Sequence, residues 1–129
     1  MDTVSDFLTR IRNAGLARHE KVDVPASRMR VGIAQILKDN NYIRDFRVVK
    51  DNKQGLMRVY LRYLDDGKHC IEKIQRVSSP GRRIYVKVDK IPQVRSGFGM
   101  SILSTNQGIL SSKECVARKM GGELLCTLW

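Results

Sequence analysis

A chain of 129 residues with 24 Lys and Arg against 13 Asp and Glu carries a formal net charge of +11, and a polyanionic partner relieves the self-repulsion this creates. Its apolar share of 42% is ordinary for one folded domain or two small ones. No apolar run approaches the roughly 18–20 residues of a membrane span, and Met1-Asp2-Thr3-Val4-Ser5-Asp6 lacks the basic start and apolar core of a signal peptide. Nucleic acid in the cytoplasm is therefore the expected setting, with no membrane and no small-molecule substrate as partner.

Val4, Phe7, Leu8 and Ile11 fall at helical spacing and predict a first helix, with Asp2 or Thr3 as cap and Gly15 as stop. Arg10 and Arg12 lie off that stripe. A short extended stretch, Val22-Asp23-Val24, leads to Pro25, and Ser27 is the expected cap of a second helix. Its apolar positions Met29, Ile33, Ile36 and Leu37 share one face, and Asn40-Asn41 ends it. Residues 42–49 are rich in β-branched and aromatic side chains. Met57, Val59, Leu61 and Tyr63 alternate with Arg58, Tyr60 and Arg62, so residues 51–55 are expected to turn a hairpin.

Asp65-Asp66-Gly67 is the expected boundary between a domain of residues 1–66 and one of residues 67–129. Beyond it, residues 70–77 read as a strand and Ser79-Pro80-Gly81 as a tight turn. A strand over residues 82–90 follows, in which Ile84, Val86 and Val88 face away from Arg83, Tyr85 and Lys87. Gly97 and Gly99 interrupt the next segment before Met100 to Leu103. Ser111 and Glu114 suit a capping box on a short helix that ends at Gly121-Gly122, and residues 124–129 close the chain as a strand. The class is α+β: an N-terminal α/β domain of helix, strand, helix and hairpin, packed against a mostly β C-terminal domain with one short helix.

Two features carry candidate chemistry. Residues 76–95 hold six basic residues (Arg76, Arg82, Arg83, Lys87, Lys90, Arg95) against one acid, Asp89. Arg83, Tyr85 and Lys87 on one strand face would combine phosphate-binding cations with a stacking ring, as RNA recognition requires. A solvated strand face has the same composition. The second feature is Ser104-Thr105-Asn106-Gln107-Gly108, whose hydroxyls and amides suit base edges, ribose and phosphate; a plain hairpin turn suits the same residues.

Catalysis finds little support. The two histidines, His19 and His69, have no neighbours at metal-ligand spacing, and no nucleophile elbow or phosphate loop occurs. Gly97-Phe98-Gly99 opens like a dinucleotide fingerprint, but Ile102 stands where its third glycine belongs. Cys70, Cys115 and Cys126 form no Cys-x-x-Cys pair and read as reduced thiols. Cys126 is expected in the core with Leu124 and Leu128, and Trp129 as an anchor of the terminus. No enzyme, no cofactor and no metal are expected.

Four ordered motifs give a family. Ile102-Leu103-Ser104-Thr105-Asn106-Gln107-Gly108-Ile109-Leu110 with Gly121-Gly122-Glu123-Leu124-Leu125-Cys126 closely resembles the C-terminal signature of bacterial small-subunit ribosomal protein eight. Leu8-Thr9-Arg10-Ile11-Arg12-Asn13-Ala14 resembles the first helix of that family, and Val24-Pro25-Ala26-Ser27-Arg28 the entry to its second. Ser79-Pro80-Gly81-Arg82-Arg83-Ile84-Tyr85-Val86 resembles its central strand. The resemblance implies binding to the central domain of 16S ribosomal RNA early in assembly of the 30S platform, beside neighbouring small-subunit proteins. It also implies repression, in many bacteria, of a ribosomal-protein operon through its messenger RNA.

The resemblance puts RNA contact at Ser104, Thr105, Asn106, Gln107 and Gly108, with Tyr85 and Glu123 at matching positions. Arg82, Arg83 and Lys87 of the central strand, and Arg12 and Arg28 of the N-terminal motifs, complete the expected set. Relatives often carry Ser at Asn106 and Lys at Gln107, so this loop has lost a cation. The expected mechanism has two parts. Basic residues hold the RNA, and the loop reads an irregular site, because regular A-form RNA hides its major-groove edges. A protein–protein adaptor with a basic face, or an RNA chaperone indifferent to sequence, would share the charge but not one preferred RNA site.

Overall fold

The computed structural model describes residues 3–50, 52–53 and 55–129, so the expected cap at Asp2 and part of the turn over residues 51–55 lie outside the described residues. The chain forms two compact units, Thr3–Glu72 and Lys73–Trp129. The Asp65–Gly67 turn belongs to the first: Leu64 N–H donates to the Lys68 carbonyl, and Tyr63 bridges to His69.

In the first unit, α1 (Thr3–Leu16) buries Val4, Phe7, Leu8 and Ile11, the stripe that helical spacing predicts. Thr3, the other candidate cap, is already helical. Gly15 does not stop the helix. It is buried beneath the His69 ring, where a Cβ would collide with the imidazole, and the left-handed residue that follows the helix is Arg18 (φ 57°). After β1 (Lys21–Pro25), α2 (Arg28–Asp39) begins as expected, with the Ser27 hydroxyl accepting from Arg30 N–H at 3.1 Å. It ends at Asn40, with Asn41 left-handed (φ 64°). Ile33, Ile36 and Leu37 are buried, while Met29 is only half-buried.

Strands β2 (Ile43–Val49) and β3 (Leu56–Leu61) complete an antiparallel sheet in the order β1-β3-β2. Alternation along β3 sends Met57, Val59 and Leu61 into the core. One buried charge was not legible in the sequence: Arg30, 6% exposed, donates to the carbonyls of Thr3 and Pro25 and lies 3.6 Å from the Asp6 carboxylate. Burial of a guanidinium is tolerable only with such partners.

The second unit is a five-stranded antiparallel sheet around β8 (Gly122–Leu128). One edge of β8 pairs with β6 (Met100–Thr105), which turns into β7 (Gly108–Ser111). Its other edge is shared. β4 (Ile74–Arg76) takes the C-terminal half and β5 (Tyr85–Val86) the N-terminal half.

That sharing shortens two expected strands. Of residues 70–77 only Ile74–Arg76 pair as a strand, because Cys70 and Ile71 stay with the first unit. Of residues 82–90 only Tyr85 and Val86 do, and Val88–Lys90 coil into a 3₁₀ turn. The short helix α3 (Ser112–Ala117) is capped by the Ser111 hydroxyl, which accepts from Glu114 N–H. It ends at Ala117, short of the expected paired glycines, with Lys119 in the left-handed region (φ 55°). Gly121 and Gly122 instead give backbone clearance: a Cβ on either would strike a carbonyl oxygen, of Val86 and Ser104 respectively. Leu103, Cys115 and Leu124 form one buried cluster, with Val77, Ile84, Val86, Ile91 and Leu110 packed against it.

Candidate nucleic-acid interface

Strand register assembles the candidate site of the second unit. Glu123 on β8 stands opposite Ser104 on β6 and opposite Tyr85 on β5. Directly opposed residues of antiparallel strands share a face. Arg83 lies two residues before Tyr85 and therefore belongs to that face as well. Its guanidinium donates to Glu123 Oε2 at 2.9 Å. Tyr85 is 71% exposed, which leaves its ring accessible to a stacking base.

Glu123 is the polar centre of this face and is only 9% exposed. The Ser78 hydroxyl, itself fully buried, donates to the same carboxylate oxygen that Arg83 reaches, and accepts from Ile84 N–H at 3.2 Å. Burial alone would raise the Glu123 pKa. The hydrogen bonds from Ser78 and Arg83, with the charges of Arg83 and Arg76, outweigh it and hold the carboxyl below its ordinary range. Glu123 is thus an ionised, internally committed acceptor that fixes Arg83 beside Tyr85.

Ser104 to Gly108 is mostly strand. Ser104 and Thr105 end β6, Gly108 begins β7, and only Asn106 and Gln107 form the turn. The left-handed step of the reversal is taken at Gly108 (φ 107°), whose Cβ position opens onto empty space. Thr105 Oγ1 donates to the Gly108 carbonyl at 2.8 Å and accepts from Gln107 N–H at 3.1 Å. The hydroxyl proton expected to read RNA is therefore spent on closing the turn. Asn106 and Gln107 are exposed and Ser104 is half-buried. Gln107 is not idle: its Oε1 accepts from Arg118 Nη1 at 2.8 Å.

The remaining expected residues are less gathered. Arg82 and Lys87 are exposed on either side of β5. Arg12, on α1, and Arg28, at the start of α2, are exposed in the first unit. Sequence reasoning missed Ser78 and Arg118, whose partners lie 45 and 11 residues away. Among the described residues no group of three or more His, Cys, Asp and Glu could hold a metal ion, and no helix is long and apolar enough to cross a membrane. Cys115 and Cys126 are buried free thiols, and burial pushes Cys126 up to about 12. Trp129 is flanked by the cations of Lys73 and Arg95 at 5.7 and 5.3 Å from its ring centre.

Residues 2–129 match the family model for Ribosomal protein S8. The chain belongs to this family. It is 65% identical to the small ribosomal subunit protein uS8 of Bdellovibrio bacteriovorus over 129 residues, all of both chains. It is 49% identical to the uS8 proteins of Geotalea daltonii and Limosilactobacillus reuteri over 128 residues, 99% of this chain and 97% of theirs. A Ribosomal protein S8 family member is a structural constituent of the small ribosomal subunit and no enzyme, with ribosomal RNA and ribosomal proteins as partners. The adaptor and the sequence-indifferent chaperone therefore fall away as primary readings.

Proposed function

We propose that the chain binds the central domain of 16S ribosomal RNA through the face that carries Tyr85, Arg83, Glu123 and Ser104 and the hairpin turn beside it. On this reading it helps to build the 30S platform in the bacterial cytoplasm, next to other small-subunit proteins. The observation that supports it best is the in-register row Ser104, Glu123 and Tyr85, with Arg83 tied to Glu123. Such a row offers a ring for an unstacked base, a cation for phosphate and a hydroxyl for a base edge or ribose. Asn106, exposed at the turn, adds an amide that can both donate and accept. Arg82, Lys87, Arg12 and Arg28 supply further charge to the RNA backbone.

The test is footprinting of the purified protein on 16S RNA, followed by binding to the protected fragment and to unrelated folded RNAs at several salt concentrations. One protected region in the central domain, preferred by at least about a thousandfold over unrelated RNA, is the expected result, judged by the usual span between specific and non-specific affinities of nucleic-acid-binding proteins. Equal affinity for all RNAs would mean that the face does not discriminate. Repression of its own operon would use the same face on a messenger that copies the ribosomal site. Competition between the protected fragment and the operon leader for one protein tests that extension.

A further inference from the structure

We propose that Arg118 is the phosphate-binding cation of the hairpin turn and that Gln107 is the residue that positions it; this rests on the RNA-binding reading above. Residues 104–108 contain no basic side chain, so charge at the turn must come from elsewhere. Arg118 closes α3 as its C-terminal cap, with its backbone N–H on the Glu114 and Val116 carbonyls. From there its side chain reaches back to the turn. Nη1 donates to Gln107 Oε1 at 2.8 Å, while Nη2 and Nε donate to Glu114 Oε1 at 2.9 and 3.2 Å.

The Glu114 pair alone would not hold it. An i,i+4 ion pair with side chains 44% and 49% exposed is weak and yields readily to another anion. The contact from Gln107 differs in kind. It comes from a separate strand turn, it crosses 11 residues of sequence, and its acceptor is a neutral amide oxygen, which orients a guanidinium without cancelling its charge. Three donors of the guanidinium are thus engaged, out of the five that arginine has. The other two find no acceptor among the described residues, and the side chain is open to solvent. A guanidinium oriented by two partners, with one N–H left on each of Nη1 and Nη2, can take up a phosphate group approaching the turn.

Binding of the full-length protein to the protected 16S fragment is measured across a salt series for the parent, Arg118→Ala, Gln107→Ala and the double variant. Loss of one phosphate contact in Arg118→Ala should lower the slope of log affinity against log salt by about 0.7–0.9 and weaken binding about three- to tenfold at moderate salt. Gln107→Ala should weaken it less, and the double variant should bind like Arg118→Ala, since a positioning residue has nothing left to position. An unchanged slope in Arg118→Ala overturns the phosphate contact. Additive losses in the double variant overturn the positioning role, because Gln107 would then touch RNA by itself. If the parent prefers no fragment, the proposed target fails, and slopes on unrelated RNA still decide Arg118. Urea melts of both single variants should match the parent, as both side chains are exposed.

Discussion

Glu123 and the turn at Asn106-Gln107 belong to the same sheet, yet they handle polar groups in opposite ways. At Glu123 a buried carboxylate is locked by a buried hydroxyl and a half-exposed guanidinium, and that hydroxyl in turn holds a backbone N–H. At the turn one hydroxyl, Thr105 Oγ1, satisfies the reversal locally, the exposed Gln107 side chain meets only the exposed Arg118, and the Asn106 side chain stands in water. In low dielectric the loss of a partner is expensive, whereas at the surface water replaces it. The difference separates two jobs. The buried node fixes where Tyr85 and Arg83 stand, and the turn displays exposed groups, Asn106 foremost, that can exchange water for RNA.

The largest effect is expected where the β6–β8 pairing that both regions share is disturbed. Gly122→Ala drives a Cβ into the Ser104 carbonyl, a backbone atom on the neighbouring strand that cannot swing aside. A loss of about 3 kcal/mol in urea unfolding is expected, at the upper end of overpacking costs. Loss of RNA preference should accompany it, because Ser104 and Glu123 would no longer align. A stable, fully binding Gly122→Ala protein would mean that the pairing has slack.

Glu123→Gln addresses the buried node alone. It keeps shape but gives up a charge-assisted acceptor, at a cost of about 2 kcal/mol near neutral pH. The sign of its pH dependence follows from the fold. A carboxyl held below its ordinary range contributes its stability in full above the unfolded pKa and loses it as pH falls through the folded one. Parent and variant should therefore converge in urea melts taken on the acid side. A gap that stays constant down to the acid limit would show that ionisation of Glu123 does not matter to the fold.

What could be read in advance follows the same division. Local, repeated signals were legible. The stripe of α1, the Ser27 and Ser111 caps, the alternation of β3 and the hairpin at residues 104–108 all depend on neighbours a few residues apart. Alternation in residues 82–90 was also real as exposure: Arg83, Tyr85 and Lys87 are exposed, and Ile84, Val86 and Val88 are half-buried. It failed as a strand because period two reports which side is wet, not whether an edge is available, and β4 already holds the other half of the β8 edge. Gly15 and the Gly121-Gly122 pair read as helix stops because glycine's freedom is local. Their actual task is to admit a ring or a carbonyl from a distant segment. Ser78, Arg30 and Arg118 were illegible for the same reason: each is explained by a partner that only the fold delivers.

At the turn, stability and recognition should come apart, and two small substitutions test this. Thr105→Val removes the hydroxyl that bonds Gly108 O and Gln107 N–H, and should cost about 1 kcal/mol of stability by the ordinary worth of exposed hydrogen bonds. Part of any RNA loss in that variant then reflects a slack turn. Asn106→Ala is the cleaner probe and the smaller change to the fold. Its exposed side chain lies at the apex, so urea midpoints should move by no more than about 0.5 kcal/mol, the usual range for surface substitutions. Binding to the protected 16S fragment should nevertheless weaken by about 1–2 kcal/mol, with the salt slope unchanged because no charge is lost. Paired alanines at Thr105 and Asn106 should approach about 2–4 kcal/mol on the cognate RNA, the lost Asn106 contact plus the cost of a slack turn, and leave affinity for an unrelated duplex nearly untouched. If Asn106→Ala weakened both RNAs alike, the apex would be a general contact, and selection would have to lie with Tyr85 and Ser104.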